Sequence, residues 1–137
     1  MTPIPISFDV TGPVIGGPHR QAAWLFVPPE TTAPVGVLLC LAGGTYDKAY
    51  WHLEVPGHAG YSFAEHAAAL GWIVIALDHL GVGESDDPAG VALDLPMLCE
   101  GDAAVAAETR ARIDAGTLDD RLPPSPHLPM FGVGHSM

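Results

Sequence analysis

Two apolar runs, Val35-Gly36-Val37-Leu38-Leu39-Cys40-Leu41 and Trp72-Ile73-Val74-Ile75-Ala76-Leu77, constrain this chain more than any other feature. Neither alternates polar with apolar residues, so a strand built from either must bury both faces. That is the pattern of a parallel sheet covered by helices on both sides. The crossover such strands need lies between them. Ser62-Phe63-Ala64-Glu65 reads as a capping box, with the serine oxygen accepting from the Glu65 N–H and the Glu65 carboxylate reaching back to the Ser62 N–H. Phe63, Ala67 and Leu70 then fall on one helical stripe, and Gly71 can end the helix in a left-handed cap. A strand, a helix and a second strand follow in that order.

The flanking segments extend the pattern. Residues 4–10 and 21–27 alternate loosely around a Gly/Pro-rich turn, which predicts an antiparallel hairpin at a sheet edge, closed by Pro28-Pro29. A second helix is expected from about Pro96 to Ala115, with proline tolerated in its first turn, a Glu108–Arg112 pair on its surface and Gly116 as its stop. Gly101 weakens that helix by about 1 kcal/mol relative to Ala. After the polar, proline-rich 119–126 connection, Leu128-Pro129-Met130-Phe131-Gly132-Val133 reads as a short apolar strand. Hairpin, strand, helix, strand, helix, strand predicts an α/β architecture, with no internal repeat and no second domain. A chain of 137 residues can hold a substantial core, since about 70% of the unfolded surface is buried near this size.

Charge and cysteine usage narrow the function. Five Lys plus Arg against 16 Asp plus Glu give a net charge of −11, which opposes binding to nucleic-acid backbones and anionic membranes. The chain opens without a basic segment and a long apolar stretch, and no apolar run approaches the ~20 residues of a membrane span, so a cytoplasmic location is expected. Cys40 and Cys99 read as reduced core thiols, and the seven His show no ligand spacing. Neither a cofactor nor a metal is called for.

Three short segments carry chemistry. Ala42-Gly43-Gly44-Thr45 directly follows a strand, and its paired glycines let the backbone turn tightly and present N–H groups able to hold an oxyanion; a plain tight turn is the alternative. Asp78-His79-Leu80-Gly81-Val82-Gly83-Glu84-Ser85 follows the next strand. It is not a dinucleotide fingerprint, because Asp86 stands where the third glycine belongs and a polar loop follows instead of a helix. Gly134-His135-Ser136-Met137 opens a G-x-S-x-G nucleophile elbow, where a serine sits on a strained strand-to-helix turn and glycine supplies clearance.

In this order the three segments resemble the N-terminal half of an α/β-hydrolase. Ala42-Gly43-Gly44 looks like the His-Gly-x oxyanion turn, the 78–85 segment like the D-x-x-G-x-G-x-S loop, and Gly134-x-Ser136 like the elbow. The resemblance implies a partial α/β-hydrolase fold, mostly parallel with an N-terminal antiparallel hairpin and helices on both faces, residues 1–137 forming the N-terminal portion of one domain. It further implies that Ser136 is the nucleophile, with the N–H groups of Met137 and Gly44 as the oxyanion hole. The triad acid and histidine would follow Ser136 along the chain. Asp78 would be a structural tether for its loop. Ala42 departs from the usual histidine of the oxyanion turn, which removes a side chain that braces it, and Leu80 stands where arginine is common.

No upstream histidine is expected to substitute as base. His135 adjoins Ser136 around a sharp turn and faces elsewhere, while His19, His52, His58, His66, His79 and His127 read as surface, loop or capping residues. Were the polypeptide to stop at Met137, the last strand would be an open edge and the terminal carboxylate would oppose an oxyanion. Two readings follow. The first is a serine-dependent hydrolase of an ester or related acyl bond, taking a small-molecule acyl substrate and inactive as this chain alone. The second is a non-catalytic α/β module that pairs with another chain through its open sheet edge. The aromatic segment from Tyr46 to Tyr61 either lines an acyl pocket or packs over the sheet edge. Serine in place of aspartate at the elbow argues against the epoxide and haloalkane branches of the resembling family.

Overall fold

The computed structural model of the chain describes residues 1–88 and 92–136. A five-stranded sheet runs through it: β1 (Ile4–Gly12), β2 (Gly16–Phe26), β3 (Gly36–Leu41), β4 (Trp72–Leu77) and β5 (Met130–Gly134), in the spatial order β1-β2-β4-β3-β5. β1 and β2 form the expected antiparallel hairpin, and β2 joins β4 antiparallel. The two apolar runs pair in parallel, with Leu38 opposite Val74 and Cys40 opposite Ala76, and β5 lies parallel on the other side of β3.

The lack of alternation in β3 and β4 has the expected cause. Val37, Leu39, Ile73, Ile75 and Leu77 face one layer, where α2 (Leu95–Ala115) contributes Met97, Val105 and Ile113. Leu38, Cys40, Val74 and Ala76 face the other, where α1 (Phe63–Ala69) contributes Ala64, Ala67 and Ala68. Helices thus cover both faces, and each strand must be apolar on both sides.

α1 differs in detail from the expectation, and α2 follows it. α1 turns its three alanines inward, while Phe63 and Leu70 stay exposed. Small side chains let a short helix approach the sheet closely, and Phe63 instead packs its ring 5.3 Å from that of Trp51. Only half of the capping box forms: Ser62 Oγ accepts from the Glu65 N–H at 3.0 Å, but the Glu65 carboxylate meets the Met1 amino group. α2 is one continuous rod, capped by Asp94 and ended by left-handed Gly116. Gly101 is required within it, since a Cβ there would lie 2.5 Å from the Gln21 side-chain oxygen. Gln21 is buried and held in place by the backbone of Asp78 and the side chain of Asp102.

Among the described residues β5 is an edge strand, and Phe131 on it is half exposed. Among the same residues no helix is long and apolar enough to cross a membrane, and no cluster of three or more His, Cys, Asp or Glu has metal-binding geometry.

The two cysteines occupy opposite environments. Cys40 is buried in β3 and burial pushes its thiol up to about 12, whereas Cys99, expected in the core, is exposed on α2. Because the thiolate is the reactive species, the native chain should give one fast-reacting thiol with an aromatic disulfide reagent at pH 8 and two after unfolding. Fast modification of both in the native state would contradict this packing.

Candidate active site

Because β3, β4 and β5 run parallel, the loops after them leave the sheet on the same side, where sites on such sheets form. All three chemistry-bearing segments are those loops. The sheet ladder carries into the last one, for the His135 N–H donates to the Leu41 carbonyl at 3.2 Å.

Ser136 is exposed and has φ +42°, in the left-handed region that residues with a Cβ seldom enter. Such a conformation costs about 1–3 kcal/mol and persists only where its surroundings enforce it. Gly43 is one source of enforcement. A Cβ on Gly43 would stand 2.7 Å from the His135 carbonyl oxygen, 2.8 Å from that of Ser136 and 3.3 Å from the Ser136 Cβ. The oxyanion-type turn and the elbow are therefore in backbone contact, and only glycine fits between them. Gly44 follows in the same turn and is exposed, while Thr45 has φ +73°. Met137, expected to supply the second N–H, lies outside the described residues.

The loop after β4 is held by Asp78, which is fully buried. Its carboxylate accepts the Lys48 backbone N–H at 2.7 Å, the Lys48 ammonium at 2.5 Å and the Glu84 N–H at 2.9 Å. Its own backbone N–H donates to Ala22, and its carbonyl receives Ser85 Oγ at 2.8 Å. Gly83, at φ +58°, has no room for a Cβ because the Asp78 carboxylate fills that space. Burial opposes the charge on Lys48, but hydrogen bonds to Asp78 and Glu84 outweigh it and hold the ammonium above its ordinary value. The tethering role expected for Asp78 is thus spelled out in contacts.

Two of the histidines read as surface, loop or capping residues, His52 and His79, are buried. His52 accepts or donates at Ser62 Oγ, 2.8 Å away, beneath the Trp24 and Phe26 rings. His79 places Nε2 2.8 Å from the Ala42 carbonyl oxygen and Nδ1 2.9 Å from Asp102 Oδ2 on α2. Nothing in the local sequence marks His79 as a partner of Ala42, because 37 residues separate them and only the sheet register brings them together. His135 turns away from Ser136 to stack on Tyr50, with ring centroids 4.6 Å apart, and Tyr46 meets it edge-on. Of the aromatic segment, Tyr46 and Tyr50 thus pack over the elbow, Trp51 is part of the core, and Tyr61 lies away from it against His58.

A cavity of about 390 Å³ opens at Ser136. Leu41, Leu95 and Leu98 give it apolar walls, and His79 and Asp102 form part of its lining. A larger cavity of about 550 Å³ lies along residues 52–62, lined by Pro56, Tyr61 and Ser62. Ser62 is committed there as the cap of α1.

The comparisons with known proteins bear on the fold. No protein-family model matches the sequence, and no curated protein matches it. Solved structures do. A thermostable carboxyl esterase from Bacillus coagulans matches 98% of this chain and 36% of its own at 19% identity and a TM-score of 0.64. A probable hydrolytic enzyme from Pseudomonas aeruginosa matches 98% of this chain and 34% of its own at 22% identity and a TM-score of 0.61. An epoxide hydrolase from Vigna radiata matches 98% of this chain and 31% of its own at 15% identity, TM-score 0.60.

The chain has part of an α/β-hydrolase fold. It spans about a third of the length of the solved structures it matches, less than the half that the motifs alone suggested. At such identities the likeness carries the fold and not the reaction.

The contact at Gly43 yields a direct test. Gly43→Ala should force the elbow and turn apart, lowering stability by about 1–3 kcal/mol in denaturant unfolding, the usual cost of overpacking. A variant as stable as the parent would mean that the two segments are not in contact.

Proposed function

We propose that the protein carrying this chain is a serine hydrolase that cleaves an ester or related acyl bond of a small molecule, with Ser136 as nucleophile. The observation that supports this most is the Ser136 backbone, strained at the carboxyl end of β5 and pressed against the Gly43 turn at the mouth of an apolar cavity. A nucleophile on such a turn projects its Oγ clear of the sheet. An acyl carbonyl lying over Ser136 would place its oxygen at the 42–45 turn, where the N–H of Gly44 and that of Met137 are the proposed donors. Each oxyanion donor of this kind contributes about 3–4 kcal/mol to lowering the barrier.

In this reading the serine proton must go to a histidine supported by a carboxylate. His79 does not fill that role, because both of its ring nitrogens already face acceptors, the Ala42 carbonyl and Asp102. His135 is stacked on Tyr50, and His52 is engaged by Ser62. The base and its acid are therefore assigned to sequence beyond the matched third. The cavity walls Leu41, Leu95 and Leu98 suit an apolar acyl chain.

The test is ester turnover by the protein that carries this chain, with p-nitrophenyl acetate and butyrate as probes. Ser136→Ala should reduce kcat by roughly 10⁵- to 10⁶-fold, the usual consequence of losing a nucleophile. Turnover that survives the substitution would remove Ser136 from the mechanism. The 137-residue chain by itself should show little or no turnover.

A second reading has its own support in the β5 edge, where half-exposed Phe131 is followed by Gly132 and Gly134, both with open space where a Cβ would stand. Unpaired strand edges template pairing with another strand. If the edge serves association, the 137-residue chain should self-associate with rising concentration in light scattering, and Phe131→Lys should suppress it. A chain monomeric at all concentrations would count against this reading.

A further inference from the structure

We infer that His79 and Asp102 form a buried, protonated brace that holds the Ala42 carbonyl and thereby sets the oxyanion turn, doing from β4 and α2 what the missing histidine at position 42 would do locally. The inference rests on the reading of residues 42–45 as an acyl-oxygen site.

The geometry leaves the imidazole little choice of charge. Nε2 faces a backbone carbonyl at 2.8 Å, and Nδ1 faces a carboxylate oxygen at 2.9 Å. Both are acceptors only, so a neutral ring would aim a lone pair at one of them. The imidazolium donates a proton to the Ala42 carbonyl and sets its positive charge against the Asp102 carboxylate. Asp102 is itself held in place: its second oxygen accepts from Gln21 Nε2 at 3.1 Å, and Gln21 also donates to the Asp78 carbonyl at 3.1 Å. The contact between Nδ1 and Asp102 is poorly angled for a hydrogen bond, so it acts chiefly as an ion pair across the 5%-exposed His79 ring.

The brace sits where it can move the site. Ala42 is buried and immediately precedes Gly43, which touches the elbow. Rotating the peptide that carries the Ala42 carbonyl also rotates the Gly43 N–H and shifts the turn that follows. His79 is thus a positioning residue and not a group that meets the acyl carbon.

The charged groups around His79 favour its proton. The close pairing with Asp102 is the leading cause, outweighing burial, and the Ala42 carbonyl and the Asp78 charge add to it, so the ring is held above its ordinary value. Lys48 is the nearby cation, but it is already paired with Asp78 and Glu84. Cys99 on α2 and His135 after β5 share the cavity wall. The sign of the pH effect follows: a raised folded value makes the brace fully stabilising below the unfolded histidine value of about 6.5, and its contribution is lost as pH rises through the folded value.

The test uses the whole protein that carries this chain. In long-range ¹H–¹⁵N spectra of histidine-labelled protein at pH 7, His79 should show both nitrogens protonated, and Asp102→Asn should convert it to a neutral tautomer. In ester turnover, His79→Ala and Asp102→Asn should each lower kcat by about 10- to 100-fold with KM little changed, as expected when a catalytic donor is displaced by a fraction of an ångström to one ångström. His79→Gln, which keeps one donor to Ala42, should recover part of the loss, and wild-type kcat should fall as His79 deprotonates. A neutral His79 at pH 7 in the wild-type protein, or undiminished kcat in both variants, would overturn the brace. Turnover that survives Ser136→Ala would instead overturn the hydrolase reading while leaving the spectroscopic result to decide the charge of His79.

Discussion

Asp78 stands at the carboxyl end of β4 without solvent exposure, and its carboxylate gathers the Lys48 backbone N–H, the Lys48 ammonium and the Glu84 N–H. A buried carboxylate is costly unless it is paired and fully hydrogen-bonded, and here it is both. The donors come from two segments at the same end of the sheet. Lys48 secures the segment after β3, Glu84 secures the loop after β4, and Gln21, bonded to the Asp78 carbonyl, ties in β2. Without that anion, Lys48 would be a buried cation between the Trp24 ring and exposed Glu84, and the loop after β4 would lose its fixed point.

The elbow depends on this arrangement at one remove. Gly43 lies between Leu41, which holds the His135 N–H, and the loop that Lys48 anchors. The strained φ of Ser136 is therefore stabilised by contacts from β3 and its turn, not by the five residues of β5 alone. The open edge of β5 and the rigid Gly43 contact are two sides of one design: one flank of the strand is fully specified, the other carries no partner among the described residues.

Much of the architecture was legible because the relevant forces are local or periodic. Uninterrupted apolar runs in β3 and β4 require cover on both faces, and alternate residues do point to α2 and α1 in turn. Gly116, as a left-handed cap, ended α2 where expected. Helical periodicity places Phe63, Ala67 and Leu70 on one stripe of α1 but cannot state how near the helix sits to the sheet; close approach selects the alanines and leaves Phe63 and Leu70 exposed. Gly101 read as a weakness in α2, and only the packed Gln21 shows it to be a clearance.

The sequence by itself determined the fold class, the order of elements and the three loops that carry glycines at strand ends, because strand burial, helix capping and turn geometry are written in short-range patterns. Tertiary structure alone decided that Gly43 meets Ser136, that Lys48 is buried against Asp78, and that His79 bridges Ala42 and Asp102. Those contacts join residues far apart along the chain, and their distances follow from sheet register and from where α2 lies on the sheet. A histidine in a loop carries no local sign of having two acceptors waiting for it; the strand pairing puts them there, and with them a charge.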